Sequence, residues 1–349
     1  MKQKVIVSEN IERDLVSAIA ECEHDRIFVL TDKTTHEMCL PKIEQFYCLR
    51  GARHIVIKPG DTHKTLDTLA EVWTELSLGG ATRHSLLINL GGGMVTDLGG
   101  MAASTFKRGI DFINIPTTLL AMVDASAGGK TGINFNGLKN EIGVFADSRF
   151  VIIDTQFLDT LDHGNICSGY AEMLKHALIA NEEMWAELVN FDLDNPDLKQ
   201  LQRMVASSIQ VKERIVAADP HEHGIRKALN LGHTAGHAFE SLAMKQGHPI
   251  LHGYAVAYGL VCELYMSARK TGLPTDRMHQ TVRFILDHYG RPQFTCDDYP
   301  ALIELMRHDK KNTAGNINFT LLGGIGDIRI NQTATVQEIE EAMDFLREG

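Results

Sequence analysis

The feature that most restricts the fold of this chain is an alternation in its first 162 residues. Short apolar runs occur at Val5–Val7, Arg26–Thr31, His54–Ile57, Ser85–Leu90, Phe112–Ile115 and Phe150–Ile153. Each is followed by a polar turn and a helical pattern. Ile11–Ala20, Leu66–Leu76 and Val95–Phe106 carry the three-to-four spacing of amphipathic helices. Strand alternating with helix implies a mostly parallel sheet covered on both faces. From about Asp162 the strand pattern stops. Ser168–Ala180, Leu198–Ala218, Thr234–Met244, Tyr254–Lys270 and Asp276–Tyr289 read as helices, with Asn195-Pro196, Gly272-Leu273-Pro274 and Gly290-Arg291-Pro292 between them. A hairpin at Ile317–Leu322 and Ile328–Ile330 and a helix at Val336–Leu346 close the chain. The 349 residues thus divide into an α/β domain, 1–162, and a mainly α-helical domain, 163–349.

Ligands of parallel sheets bind at the carboxyl ends of the strands, so the loops there matter most. After Leu90 comes Gly91-Gly92-Gly93-Met94-Val95-Thr96-Asp97, a strand, a glycine turn and a helix start. Its free N–H groups and the positive end of the helix dipole suit a phosphate. Thr96 stands where the strict dinucleotide pattern has a third glycine, and tight packing alone also explains such a turn. Asp97 is expected in the first helical turn, where it favours the dipole. Thr117 and Thr118 offer hydroxyls for capping or for a cofactor. Val123–Asn134 surrounds Lys130 with small residues and glycines, like a flexible cradle for an anion, but without Walker spacing. Asp32 ends the second strand and suits a ribose hydroxyl or a plain turn.

In the helical half, Asn230–Glu240 reads as a helix opening with His233 and His237 four apart, hence on one face. The pair suits two ligands of a metal such as zinc, or one ligand and one acid/base group. Gly232 and Gly236 leave that face bare, so something bulky can approach the backbone. Glu172 and Lys175, three apart, form either a surface ion pair or a metal ligand and a substrate contact. Lys212, Arg226 and Asn230 lead into the histidine helix, His252 opens the next one, and Arg307–Lys311 adds a basic pair. Taken singly, each basic residue reads as a solvated surface charge.

A net charge of -11 argues against nucleic acid and anionic membrane as partners. The six scattered cysteines contain no Cys-x-x-Cys and read as neither a disulfide framework nor a thiolate zinc site. No apolar leader opens the chain and no apolar run is long enough to span a bilayer. A cytoplasmic protein is expected.

Several motifs occur in a fixed order: Gly-Gly-Gly-Met-Val-Thr-Asp, Pro-Thr-Thr-Leu-Leu, Val-Asp-Ala-Ser-Ala-Gly-Gly-Lys-Thr, Gly-Tyr-Ala-Glu-Met-Leu-Lys, Leu-Asn-Leu-Gly-His-Thr-Ala-Gly-His, Leu-His-Gly and Asp-Lys-Lys. Together, from about Asp32 to Lys311, the chain resembles the 3-dehydroquinate synthase family. The resemblance implies a Rossmann-like NAD domain, a helical domain, and a cleft for NAD, metal and substrate. It implies NAD contacts at Asp32, Asp61, Lys64, Gly91, Gly92, Gly93, Met94, Val95, Thr96, Asp97, Thr117, Thr118, Lys130, Lys139, Phe157, Leu158, Asp159 and Thr160. Metal ligands would be Glu172, His233 and His252, holding zinc or cobalt, which moves His237 from metal to substrate. Substrate contacts would be Asp124, Lys130, Asn140, Lys175, Lys212, Arg226, Asn230, His237 and Lys310, with Arg108 reaching a neighbouring subunit of a homodimer. The implied activity is that of a phosphate-eliminating lyase that uses NAD and a divalent metal. It would convert a phosphorylated sugar acid, 3-deoxy-D-arabino-heptulosonate 7-phosphate, to 3-dehydroquinate. Leu161-Asp-His-Gly-Asn165 replaces the usual Leu-Pro-x-Arg-Glu, Asp61 stands for Glu, and Tyr254 for a common Glu. A hinge ion pair is therefore expected to be missing.

Overall fold

A computed structural model describes residues 3–136, 138–308 and 317–349. The chain forms two compact units, Met1–Asp162 and His163–Gly349. The first contains β1 (Lys4–Val7), α1 (Ile11–Ala20), β2 (Ile27–Asp32), α2 (Lys33–Met38), β3 (Arg53–Ile57), α3 (Leu66–Leu78), β4 (Leu86–Gly91), α4 (Gly93–Thr105), β5 (Asp111–Pro116), β6 (Lys130–Phe135), β7 (Leu138–Phe145) and β8 (Phe150–Ile153). Six of these strands make one sheet in the order β1-β8-β5-β4-β2-β3, parallel throughout. Strands β4 and β8 are buried along their whole length, as a sheet covered on both faces requires. From β2 the chain moves to β3 on one side, and β4 then lies on the other side of β2. The carboxyl ends of β2 and β4 therefore flank a topological switch point, the usual ligand crevice of an open α/β sheet.

Glycine sets how closely α4 lies on that sheet. A Cβ at Gly99 would sit 2.1 Å from Asn89 Oδ1, and a Cβ at Gly91 2.6 Å from Val95 Cβ. The expected flexible cradle is instead a π-helical turn, Ala121–Ala125, followed by the antiparallel ribbon β6–β7. The run of small residues and glycines between Val123 and Asn134 hid the strand period.

The second unit contains α5 (His163–Ala180), α6 (Glu182–Val189), α7 (Leu198–Ala218), α8 (His233–Lys245), α9 (His252–Lys270), α10 (Thr275–Tyr289), α11 (Tyr299–Arg307), the ribbon β9 (Asn318–Gly324) and β10 (Asp327–Thr333), and α12 (Val336–Glu348). Helices α6 and α11 have no counterpart in the sequence reading; Asn181 caps the first, and both are short. No helix among the described residues is long and apolar enough to cross a membrane.

Glycines also decide the packing here. A Cβ at Gly259 would lie 1.9 Å from Gly232 O, and one at Gly236 2.8 Å from Ala255 O. The bare face of α8 therefore receives helix α9. On its other side α9 meets α5: Gly253 N donates to Ser168 Oγ at 3.0 Å, and a Cβ at Gly253 would lie 1.9 Å from Ser168 O. These contacts stand one residue from His252 and one helical turn from Glu172.

Candidate active site

In the α/β unit the polar residues gather around Lys64, which is only 4% exposed. Its Nζ reaches Asp97 Oδ2 at 3.0 Å, Asp61 Oδ1 at 3.3 Å and Asn140 Oδ1 at 2.6 Å. Lys139 Nζ lies 3.5 Å from Asp61 Oδ2. Burial opposes the charge on Lys64, but Asp97 and Asp61 outweigh it and raise its pKa. Burial likewise raises the pKa of Asp61, and Lys64 and Lys139 overcome it, so the net shift is downward. Asp97 stands beyond the first turn of α4, which holds no acidic residue. Its partner is Lys64, and the expected role on the helix dipole is replaced by this ion pair. Removing Lys64 leaves two carboxylates facing each other at a part-buried site. We expect Lys64→Met to destabilise the protein by about 2–3 kcal/mol, discounted from the roughly 3–5 of a fully buried pair because Asp61 is partly exposed. Urea denaturation checks this.

The glycine turn of α4 has no side-chain cap. Gly92, Gly93 and Met94 are partly exposed, so first-turn N–H groups remain for an anion. Val95 and Thr96 are buried. Asp32 caps α2 by accepting from Thr35 N at 2.8 Å, and Thr118 Oγ1 accepts from Ala121 N at 3.2 Å, while Thr117 is buried. Phe157 and Leu158 are buried. Asp159 pairs with Lys42 at 2.9 Å, and Thr160 donates to Phe157 O at 2.7 Å. Asp124 lies within the π-helical turn, half-buried, and Lys130 is exposed.

In the helical unit, Glu172, His233 and His252 converge, with one ligand atom from each all within 4.8 Å of one another. His233 Nε2 is 3.3 Å and His252 Nε2 3.6 Å from Glu172 Oε1. That oxygen is buried and has no hydrogen bond. His233 Nδ1 faces Leu231 O at 3.1 Å, and His252 Nδ1 faces Glu240 Oε2 at 3.3 Å. A carbonyl and a carboxylate only accept, so both Nδ1 atoms carry the proton and both Nε2 atoms turn toward Glu172. Three electron-rich atoms then face one point, which demands a cation. A proton can serve: burial lowers the proton affinity of His252, but Glu172 and Glu240 outweigh it, giving a pKa of about 10. A divalent ion serves better, because one carboxylate and two imidazoles are the donors zinc prefers and leave it an open position. His237 is not part of this group; its ring lies 5.4 Å from that of His233 and 6.0 Å from that of His252.

Three cations of this unit are buried. Lys175 is 1%, Lys212 6% and Arg226 3% exposed, which overturns the reading of each as a solvated surface charge. Lys175 pairs with Glu172. Burial raises the pKa of Glu172, yet Lys175 and, after it, His233 hold it well below the ordinary carboxylate range. Arg226 donates from Nη1 to Pro220 O at 2.6 Å and from its backbone N to Asp219 Oδ2 at 3.1 Å. Asn230 donates to Glu222 Oε1 at 2.9 Å. Lys310 and the Lys311 beside it lie outside the described residues.

Residues 54–168 match the family model described as 3-dehydroquinate synthase N-terminal, and residues 169–312 the one described as 3-dehydroquinate synthase C-terminal. A curated 3-dehydroquinate synthase from Parabacteroides distasonis is 52% identical over 348 residues, covering 100% of this chain and 99% of the relative. The chain belongs to the 3-dehydroquinate synthase family. Among solved structures, a 2-deoxy-scyllo-inosose synthase complexed with carbaglucose-6-phosphate, NAD+ and Co2+ has a TM-score of 0.86 at 24% identity, over 98% of this chain and 95% of that one. A 2-epi-5-epi-valiolone synthase from Streptomyces hygroscopicus subsp. jinggangensis 5008, with NAD+ and Zn2+ bound, has a TM-score of 0.85 at 26% identity, over 99% and 97%.

Within the synthase family's frame, three features escaped the sequence reading. Glu240, one turn beyond His237, gave no separate signal, although its i+7 spacing from His233 puts it on the same helix face. Gly259 read as an ordinary helix residue, and Gly253 only as the last residue of the Leu-His-Gly motif. The departure at Leu161–Asn165 falls where the two units divide, and there His163 Nε2 lies 3.6 Å from Asp194 Oδ1. Because the Gly253 contact is backbone on backbone, Gly253→Ala is expected to push His252 off its seat. We expect at least about tenfold weaker zinc binding and roughly 1–3 kcal/mol lower stability, read by chelator competition and thermal melting.

Proposed function

We propose that this chain converts 3-deoxy-D-arabino-heptulosonate 7-phosphate to 3-dehydroquinate and phosphate. The steps are oxidation at C5, phosphate elimination, reduction at C5, ring opening and intramolecular aldol closure. As a phosphate-eliminating lyase it uses NAD and one divalent metal, zinc or cobalt. The carrying observation is the convergence of Glu172, His233 and His252 in a chain 52% identical to a curated synthase along its whole length. The 2-epi-5-epi-valiolone synthase shares 26%.

When bound, the metal supplies Lewis-acid polarisation of a substrate hydroxyl and NAD a reversible hydride acceptor. Glu172, His233 and His252 would hold the metal, with Lys175 balancing the charge of Glu172. Asp32, Asp61, Lys64, Lys139, Thr117, Thr118 and the turn Gly91–Asp97 would hold NAD, the uncapped amides of α4 meeting its phosphates. Arg226, with its planar fork, suits the substrate carboxylate, and Lys212 adds charge there. Lys130, Asn140, Asn230 and Lys310 serve the phosphate. Asp124 and Lys175 complete the substrate contacts, and His237 relays a proton at a substrate hydroxyl. The departing phosphate acts as its own base, so little further acid/base machinery is needed. Stripping the metal with a chelator should abolish turnover and zinc should restore it; turnover that survives complete removal would contradict the reading.

The protein is proposed to work in the cytoplasm as a homodimer. Lys107 and Arg108 both adopt left-handed backbone, with φ of 49° and 70°, a strain worth roughly 1–3 kcal/mol each that persists mainly where a turn has work to do. Leu138 and Phe145 on the ribbon β6–β7 are 57% and 60% exposed, which supports a subunit contact there. Mixing Arg108→Ala subunits with Glu172→Gln subunits should restore part of the activity, as one site in each heterodimer then holds both residues. Confirmed heterodimers with no activity would mean self-contained subunits.

A further inference from the structure

We infer that Glu240 is a positioning residue for the metal centre: its carboxylate fixes the tautomer and orientation of His252. The inference rests on the metal reading above and adds to it a residue that does not itself touch the ion. Glu240 is 7% exposed and its Oε2 lies 3.3 Å from His252 Nδ1. A carboxylate so placed forces the proton onto Nδ1 and leaves the Nε2 lone pair toward Glu172 Oε1, 3.6 Å away. His233 is fixed in the same sense by a backbone carbonyl. The two imidazoles thus use different acceptors for one purpose, and only that of His252 is charged.

The helix geometry makes this specific. His233, His237 and Glu240 stand at i, i+4 and i+7 of α8, on one face. One helix therefore supplies a direct ligand and, two turns on, the support for a ligand carried by α9. Charge favours the same role. A divalent ion, Glu172 and Lys175 together leave two positive charges in a buried place, and Glu240 lowers that to one. An ordinary ion pair would not need this burial, since exposed carboxylates pair with histidine at little cost. A carboxylate buried against one ring is costly unless it is matched by charge and hydrogen bonding.

The test compares purified wild type, Glu240→Ala, Glu240→Gln and Glu172→Gln for zinc affinity by chelator competition, metal-free melting temperature and NAD affinity. Loss of a carboxylate that orients a metal-bound histidine costs about 10–100-fold in metal affinity. Glu240→Ala should show that loss with NAD affinity unchanged. Glu240→Gln keeps an acceptor for Nδ1 and should recover part of it; it also serves if the alanine variant fails to fold. Wild-type zinc affinity in both Glu240 variants, with or without a lower metal-free melting temperature, would overturn the inference while Glu172→Gln still loses zinc. Wild-type zinc affinity in Glu172→Gln as well would overturn the metal reading itself.

Discussion

Glu172→Gln is expected to lose its zinc and to lower kcat by about a thousandfold. The substitution is nearly isosteric, so packing on α5 survives. What goes is the charge toward which two imidazoles turn. A Lewis acid stabilises developing negative charge by several kcal/mol, and each 1.36 kcal/mol is a factor of ten in rate. The same change leaves the ammonium of Lys175, 1% exposed, beside a neutral amide. Removing one partner of a buried pair costs roughly 3–5 kcal/mol. The variant should therefore also melt earlier, and its kcat must be measured below that temperature, with zinc in excess and zinc content read in parallel. Full activity with full zinc would refute the ligand assignment.

Arg226→Ala is expected to raise KM by about 10–100-fold and leave NAD affinity unchanged. A charge-assisted hydrogen-bonded contact contributes about 1.5–3 kcal/mol. Arg226 suits such a contact because its loop is held in place. Asp219 accepts hydrogen bonds from the backbone N–H groups of His223, Gly224 and Arg226. Arg226 is buried, so it arrives without the entropy cost of ordering a free side chain. The residues proposed to hold NAD belong to the other unit. Equal losses of NAD and substrate affinity would mean that Arg226 supports the fold rather than the substrate.

Much of this was legible in the residues. The alternation of strand and helix reached the parallel sheet, because continuous apolar runs such as Phe150–Ile153 have few other uses. Helices α1 and α7 stand where their periodicity places them, at Ile11–Ala20 and Leu198–Ala218. Spacing alone paired His233 with His237, since periodicity reports neighbours on one helix and is blind to the next. The resemblance moved the second ligand to His252, and the structure brings His252 to Glu172. The buried state of Lys175, Lys212 and Arg226 was not legible either. Hydropathy patterns treat every lysine and arginine as a surface residue, and only tertiary packing shows which charges are enclosed. The ribbon β6–β7 was hidden for a third reason: its glycines, small residues and Asn136, in left-handed backbone at φ 50°, read as loop. The network around Lys64 depends on that ribbon, because Asn134 and Asn140 are drawn in by it.

The central claim is that the metal-binding and NAD-binding residues serve one cyclisation in which the cofactor is returned unchanged. Its most direct test is to incubate the pure protein with NAD, zinc and 3-deoxy-D-arabino-heptulosonate 7-phosphate, following phosphate, the carbocyclic product and absorbance at the NADH band together. The account predicts phosphate and 3-dehydroquinate in equal amounts with no net NADH. NADH accumulating in step with substrate loss, or phosphate released without the carbocycle, would contradict it.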